Sequence, residues 1–164
     1  MSVNVDTEIA RPGDESYVEE AWQLKERIRE SEGVLKQRRG FFVDAYRRST
    51  VHLLLAGEAG SDDGTLMGFA AVRRDGYILF LAVSPEFRGE GVGKRLVGKV
   101  AENSDSVTCH ARASNENALG FYEHLGFEVE RRIDNYYEDG GDALYLKLGE
   151  RGGITKKLSD FVRG

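Results

Sequence analysis

The sequence has a single cysteine, Cys109. One thiol excludes an intrachain disulfide framework and a cysteine-rich metal site, so nothing ties the chain to an oxidising compartment. No apolar run approaches the roughly 18 residues that a membrane helix requires. The first ten residues carry Asp6 and Glu8 rather than a basic start and an apolar stretch. No secretory signal is read there, and a cytoplasmic location is expected. A basic excess is missing too: the formal net charge is −5. That argues against a general nucleic-acid binder, so neither direct nucleic-acid nor membrane contact is expected. One cluster runs against the average, Lys36, Arg38 and Arg39, with Arg47 and Arg48 close by. It reads as a solvated helix end, the alternative being a docking face for an acidic partner such as RNA.

What is present fits one domain. The chain has 164 residues, 40% hydrophobic and 31% charged, enough for one core. That domain is expected over 1–150, with 151–164 as a polar tail in which 154–162 has the spacing of a short helix. Residues 3–9 alternate apolar and polar as a strand does. Pro12-Gly13-Asp14 breaks the chain, with Asp14 as the expected helix cap. Tyr17, Ala21, Leu24 and Ile28 then recur at helical spacing up to about Glu32, before Gly33. A short helix over 41–48 follows, then strands over 51–57 and 65–73 around a polar turn at 60–64. Asp75-Gly76 signals a hairpin before a strand over 77–83. Val92, Leu96, Val97 and Val100 form a helical stripe, and 106–111 reads as a strand. Ala118, Phe121, Tyr122 and Leu125 mark a last helix, stopped by Gly126. Strands over 127–132 and 143–148 close the domain. The order β-α-α-β-β-β-α-β-α-β-β predicts an α/β (α+β) fold: a mixed, mostly antiparallel central sheet flanked by helices.

The most informative segment is Val83-Ser84-Pro85-Glu86-Phe87-Arg88-Gly89-Glu90-Gly91-Val92-Gly93-Lys94. It follows an apolar strand and opens a helix. Glycines at alternate positions let backbone N–H groups turn toward one point without Cβ obstruction. That point is a helix N-terminus, which favours an anion, and Arg88 and Lys94 add positive charge. A Walker loop would need glycine at Arg88 and serine or threonine at Arg95. A Rossmann loop would need glycine at Lys94. Neither pattern fits, so the segment reads as a pyrophosphate cradle of another kind or as a glycine-rich turn without a ligand.

Arg88-Gly89-Glu90-Gly91-Val92-Gly93 resembles the pyrophosphate motif of the GNAT superfamily of N-acetyltransferases. Farther on, Arg112-Ala113-Ser114-Asn115-Glu116-Asn117-Ala118, Phe121-Tyr122-Glu123-His124-Leu125-Gly126-Phe127 and Arg132-Ile133-Asp134-Asn135-Tyr136-Tyr137-Glu138-Asp139-Gly140 resemble its protein N-terminal acetyltransferases, the ribosomal-protein alanine type among them. The similarity is dense from about Tyr77 to Leu148 and weak over the first 60 residues. It implies a GNAT-like fold and acetyl-CoA as co-substrate, with no metal. Backbone groups of Ala82 and Val83 would hold the pantetheine arm and polarise the thioester. Arg88, Gly89, Gly91, Val92, Gly93 and Lys94 would bind the pyrophosphate. Asn115 would contact the cofactor. Tyr122 would sit near the sulfur and protonate the leaving thiolate, and Tyr136 and Tyr137 would line a peptide groove. Where the bacterial relatives carry a glutamate base on the fifth strand, this chain has His110. A eukaryotic branch pairs such a histidine with a tyrosine on the fourth strand, here Tyr77.

The chemistry is consistent with this. An α-amine has a pKa of roughly 7.7–8.0, so a useful fraction is neutral at pH 7 and a modest base suffices. Histidine suits that task, and strand N–H groups suit a developing oxyanion. Plainer readings stand beside these: His110 as a hydrogen-bonded strand histidine, Tyr122 as core packing, and Tyr77, Tyr136 and Tyr137 as strand aromatics. Cys109 alternates with His110 and reads as a small buried hydrophobe. His52 and His124 read as structural or exposed, without metal-ligand spacing. The functions in view are acetylation of a protein or peptide N-terminus, acetylation of a small amine, and non-catalytic acyl-CoA binding. An Asn135-Tyr136-Tyr137 strand would favour the first. Either a monomer or a homodimer is compatible with the sequence.

Overall fold

The alternating N-terminal stretch forms β1 (Asn4–Ala10). A computed structural model describes residues 4–57 and 65–149 of the chain. Val3, the expected turn at 60–64 and the helix at 154–162 lie outside the described residues. Two helices follow β1: α1 (Val18–Glu32) and α2 (Arg39–Arg48). Ala21, Leu24 and Ile28 are buried along α1, as their spacing predicts, and Phe42 and Tyr46 are buried along α2. Asp14 does not cap α1. Its carboxylate accepts from Ser16 N at 2.9 Å, a local turn that satisfies it two residues away. The cap position is Tyr17, in the left-handed region at φ 66.

The buried face of α1 also carries a lysine. Lys25 is fully buried, ion-paired with Glu26 at 3.5 Å, and lies 4.7 Å from the Trp22 ring centre. Its ammonium donates to the Gln37 carbonyl and so ties the α1–α2 connection to α1. A buried ammonium without such partners would be costly.

β2 (Thr50–Gly57), β3 (Thr65–Val72) and β4 (Ile78–Val83) complete an antiparallel sheet in the order β1-β2-β3-β4. Its middle strands are apolar on both faces because both are covered. Leu53, Phe69 and Phe80 pack under α1 and α2, whereas Leu54, Ala70 and Ile78 pack under α3 (Val92–Glu102). A second antiparallel sheet, β5-β7-β6, holds β5 (Thr108–Arg112), β6 (Phe127–Ile133) and β7 (Ala143–Leu148), with α4 (Glu116–His124) joining β5 to β6.

The single mixed sheet expected from the sequence is therefore split. Its halves meet at one parallel bridge, Tyr77 to Thr108, where Thr108 N donates to Gly76 O at 3.2 Å. Gly76 makes that contact possible. Its φ is 84, and a Cβ there would stand 1.7 Å from the Ser106 carbonyl oxygen. Beyond this point β4 and β5 are not paired, and the space between them is the functional cleft.

The basic cluster is mostly neutralised within the fold. Arg39 pairs with Glu19 at 2.7 Å, Arg48 with Asp44 at 2.8 Å, Lys36 with Asp139 at 3.0 Å, and Arg47 with Glu15. These partners support the solvated-helix reading.

Candidate active site

A cavity of about 1080 Å³ lies between β4, β5 and the loops around them. Strand parity decides which backbone groups face it. Ser84 N donates to Met67 O at 2.8 Å, and the β3–β4 register pairs Val83 with Gly68 and Ala82 with Phe69. In an antiparallel ladder the bonded residues alternate, so Ala82 is turned toward β3 while Leu81 and Val83 present their N–H and C=O groups to the cleft. Of the expected pair Ala82 and Val83, only Val83 has its backbone on that side. Leu81, which motif reading missed, takes Ala82's place; the period of two along β4 was the available signal.

After β4 the chain makes one 3-10 turn, Pro85–Phe87, and then the glycine loop. Gly89 and Gly91 have φ 83 and 82, and a Cβ on either would meet only open space. Backbone conformation, not crowding, demands glycine at these two positions. Gly91 caps α3 without any side-chain acceptor, so the first N–H groups of the helix remain for an anion. Gly93 has a packing reason of its own: a Cβ there would lie 2.9 Å from the Phe121 ring of α4. Val92 is buried and, like Lys94, lines the cavity. Arg88 also lines it, but its guanidinium pairs with Glu32 at 2.7 Å and donates to Val83 O at 3.4 Å.

At the far end, Tyr77 Oη lies 2.5 Å from His110 Nδ1. Burial pushes the His110 pKa below its ordinary value, and the positive charges of Arg131 and Arg73 push it further down. The Tyr77 hydroxyl is pushed up by burial and stays protonated. Tyr145, opposite His110 in register, packs its ring 4.9 Å from the imidazole and was not singled out from the sequence. Tyr122 is 8% exposed and lines the cavity from α4. The pKa of its hydroxyl is raised, first by burial and then by the neighbouring Cys109. The thiol of Cys109 is pushed up to about 12 by burial, which makes it a poor nucleophile. His52 is buried in β2, away from the cavity lining.

Tyr136 and Tyr137 lie in the loop between β6 and β7, not on a strand. Their β-favouring side chains mimic a strand in sequence, but carboxylates hold the segment as a loop. Asp142 accepts from Asn135 N at 3.0 Å and pairs with Arg132. Asp139 accepts from Gly141 N at 3.0 Å and pairs with Arg112 at 3.1 Å and Lys36 at 3.0 Å. Arg112 lies 4.0 Å over the Tyr137 ring. Both tyrosines nevertheless reach the cavity. Asn115 caps α4, its side-chain oxygen accepting from Ala118 N at 3.1 Å, and lines the cavity too. Among the described residues no group of three or more His, Cys, Asp or Glu side chains is placed to hold a metal ion, and no helix is long and apolar enough to cross a membrane.

A split sheet, a glycine loop capping α3 and a tyrosine–histidine pair across the seam define an acetyltransferase-type site. Residues 14–127 match the Acetyltransferase (GNAT) family, and the chain belongs to it. N-alpha-acetyltransferase 30 of Homo sapiens is 42% identical over 80 residues, which is 46% of this chain and 22% of that protein. The chain thus spans well under half the length of that relative. The ribosomal-protein-S18-alanine N-acetyltransferase from Escherichia coli superposes with a TM-score of 0.67 at 21% identity, covering 92% of this chain and 97% of the other. A chain of the NatC complex bound to Gag peptide and CoA gives 0.62 at 23% identity, covering 92% and 99%. At these identities both likenesses speak for the fold.

Proposed function

We propose that the protein transfers an acetyl group from acetyl-CoA to the N-terminal α-amine of a protein or peptide by direct attack. The observation that carries this reading is the Tyr77–His110 pair, set in the same cavity as the glycine loop. The cradle suits the diphosphate: open space over Gly89 and Gly91, the uncapped start of α3, and the cations Arg88 and Lys94. The thioester supplies the acetyl group. Leu81 and Val83 present N–H groups to its carbonyl, where negative charge develops. His110 takes the amine proton, through a bridging water, as the new N–C bond forms. The C–S bond breaks, and the thiolate takes its proton from Tyr122, whose hydroxyl burial keeps protonated.

The charge of the cavity favours a single amine over a polycation. Its acidic lining residues are Glu32, Glu138 and Asp139. Glu32 is held by Arg88, and Asp139 by Arg112 and Lys36. A site for a polyamine or aminoglycoside would need several carboxylates left for the ligand. Phe41 and Tyr136, 59% and 43% exposed, give the rim apolar surface for a peptide chain instead. N-alpha-acetyltransferases among the relatives agree with that choice.

The test is intact-mass analysis of an N-terminal peptide library and a panel of small amines incubated with acetyl-CoA. A mass gain of one acetyl group on peptides with free α-amines is expected. Turnover of small amines alone would refute the peptide reading. CoA binding without turnover of either would leave an acyl-CoA-binding module.

A further inference from the structure

Three ion pairs of the basic cluster stay near the N-terminus: Arg39–Glu19, Arg48–Asp44 and Arg47–Glu15. The pair made by Lys36 does not. Its Nζ lies 3.0 Å from Asp139 Oδ2, a contact across 103 positions of sequence. Lys36 sits in the connection between α1 and α2, Asp139 in the loop between β6 and β7, and both line the cavity. Beside Lys36, Val34, Leu35 and Gln37 face the same space; beside Asp139, Tyr136, Tyr137 and Glu138 do. The ion pair therefore joins two walls of one cleft.

Each wall is anchored on its own half of the fold. Val34 and Leu35 pack against the core under α1 and α2, and the Gln37 carbonyl accepts from buried Lys25. On the other wall, Asp139 accepts from Gly141 N at 3.0 Å and from Arg112 of β5 at 3.1 Å. The fit there is close: a Cβ on Gly141 would stand 2.7 Å from Arg112 Nη1 and 3.1 Å from Asp139 Oδ1. Asp139 is thus held on its own side before Lys36 is counted. The lysine adds a tie between the walls rather than the shape of either.

We propose that Lys36 is a positioning residue for the acceptor side of the cavity: through Asp139 it holds Tyr136 and Tyr137 of the β6–β7 loop at a fixed spacing from the α1–α2 connection. This rests on the reading that a peptide lies between these walls. The catalytic groups are seated by other contacts: His110 by the β5–β7 ladder, Tyr77 by the bridge to Thr108, and Tyr122 by its packing on Phe127. The tie acts alike on ground state and transition state. Its loss weakens acceptor binding and leaves the chemical step alone. Both members are open to water, 49% and 38% exposed, so the tie is modest and sensitive to salt.

Lys36→Met keeps the length of the side chain and removes its charge. The acceptor is a peptide with a free α-amine, no charged side chain and an amidated end. Its KM should rise about threefold, with kcat and CoA affinity unchanged. Lys36→Glu sets two carboxylates against each other and should raise KM further; Lys36→Arg should restore it. High salt should bring wild type toward Lys36→Met. A lysine that touched the acceptor directly would repel its ammonium, so a fall in KM in Lys36→Met overturns the inference. A fall in kcat or in CoA affinity overturns it too. A second readout needs no substrate: spin labels on Arg38→Cys and Glu138→Cys, with Cys109 buried and unlabelled. The distance between them should be narrowly distributed with Lys36 and broad in Lys36→Met, and an unchanged distribution overturns the inference. Failure of wild type to turn over any peptide would refute the peptide reading, and the label distances would still decide the tie.

Discussion

Arg88 of the glycine loop and Glu32 at the end of α1 are joined by an ion pair of 2.7 Å on the wall of the cavity. A carboxylate at the C-terminal end of a helix is poorly placed against the helix dipole, and Arg88 offsets that cost. A bound diphosphate competes with Glu32 for the same guanidinium. Glu32→Gln should therefore tighten CoA binding a few-fold, and Arg88→Ala should weaken it by about tenfold, the loss of one charge-assisted contact. Gly91→Val should also weaken it, since a branched residue is strained at φ 82. Calorimetric titration with CoA checks all three. Unchanged affinity in both Arg88→Ala and Gly91→Val would remove the cradle assignment.

The lowered pKa of His110 leaves the pH dependence near neutrality to the substrate amine. The neutral, proton-accepting imidazole is populated throughout the range above about 6.5. The rise of kcat/KM with pH should then follow the substrate amine, at roughly 7.7–8.0. His110→Ala should lose about 10²–10⁴-fold at neutral pH, with the deficit shrinking as the amine deprotonates unaided. His110→Glu should recover part of it. A pH-independent deficit would mark a structural histidine.

Tyr122→Phe removes one hydroxyl from a buried ring that packs 5.0 Å from Phe127 and 5.2 Å from Phe121. Packing survives, so kcat should fall while CoA affinity holds, the pattern of an interaction made in the transition state. Cys109→Ala should keep most activity, because its thiol stays protonated. Wild-type turnover of the phenylalanine variant would reduce Tyr122 to packing.

Gly76→Ala tests the seam. The new Cβ would have to displace the Ser106 carbonyl oxygen, 1.7 Å away, and would sit at a positive φ. A loss of more than about 2 kcal/mol is expected in denaturant unfolding. Activity should drop as well, because the neighbouring Tyr77–Thr108 bridge sets Tyr77 against His110. A variant as stable as the wild type would show that the bridge is not required.

The element order was legible because burial periodicity reports faces directly: 2 along β4 and near 3.6 along α1. The glycine loop was legible because its positive φ angles constrain the backbone, and glycine is the visible trace of that constraint. Other features left weaker traces. Tyr136 and Tyr137 read as strand residues because propensity cannot see Asp139 and Asp142 pinning the loop from either side. Asp14 read as a helix cap because a local turn and a cap use the same side chain. The pairing of Glu32 with Arg88 and the register of Tyr145 opposite His110 depend on contacts between segments far apart in sequence. Local pattern carries no information about them. The bridge that joins the two sheets hangs on how closely Gly76 approaches Ser106, a distance that composition does not encode.

That division leaves two strand edges facing each other across open space. On β4, Leu81 and Val83 offer N–H and C=O groups to a partner that no strand of the described fold provides. Such an edge is the usual starting point for unwanted pairing between molecules. A ligand lying in the gap occupies the rungs that another chain would otherwise take, and it favours the native state by mass action. Acetyl-CoA lying along β4 would then cover an exposed strand edge as well as supply the acyl group.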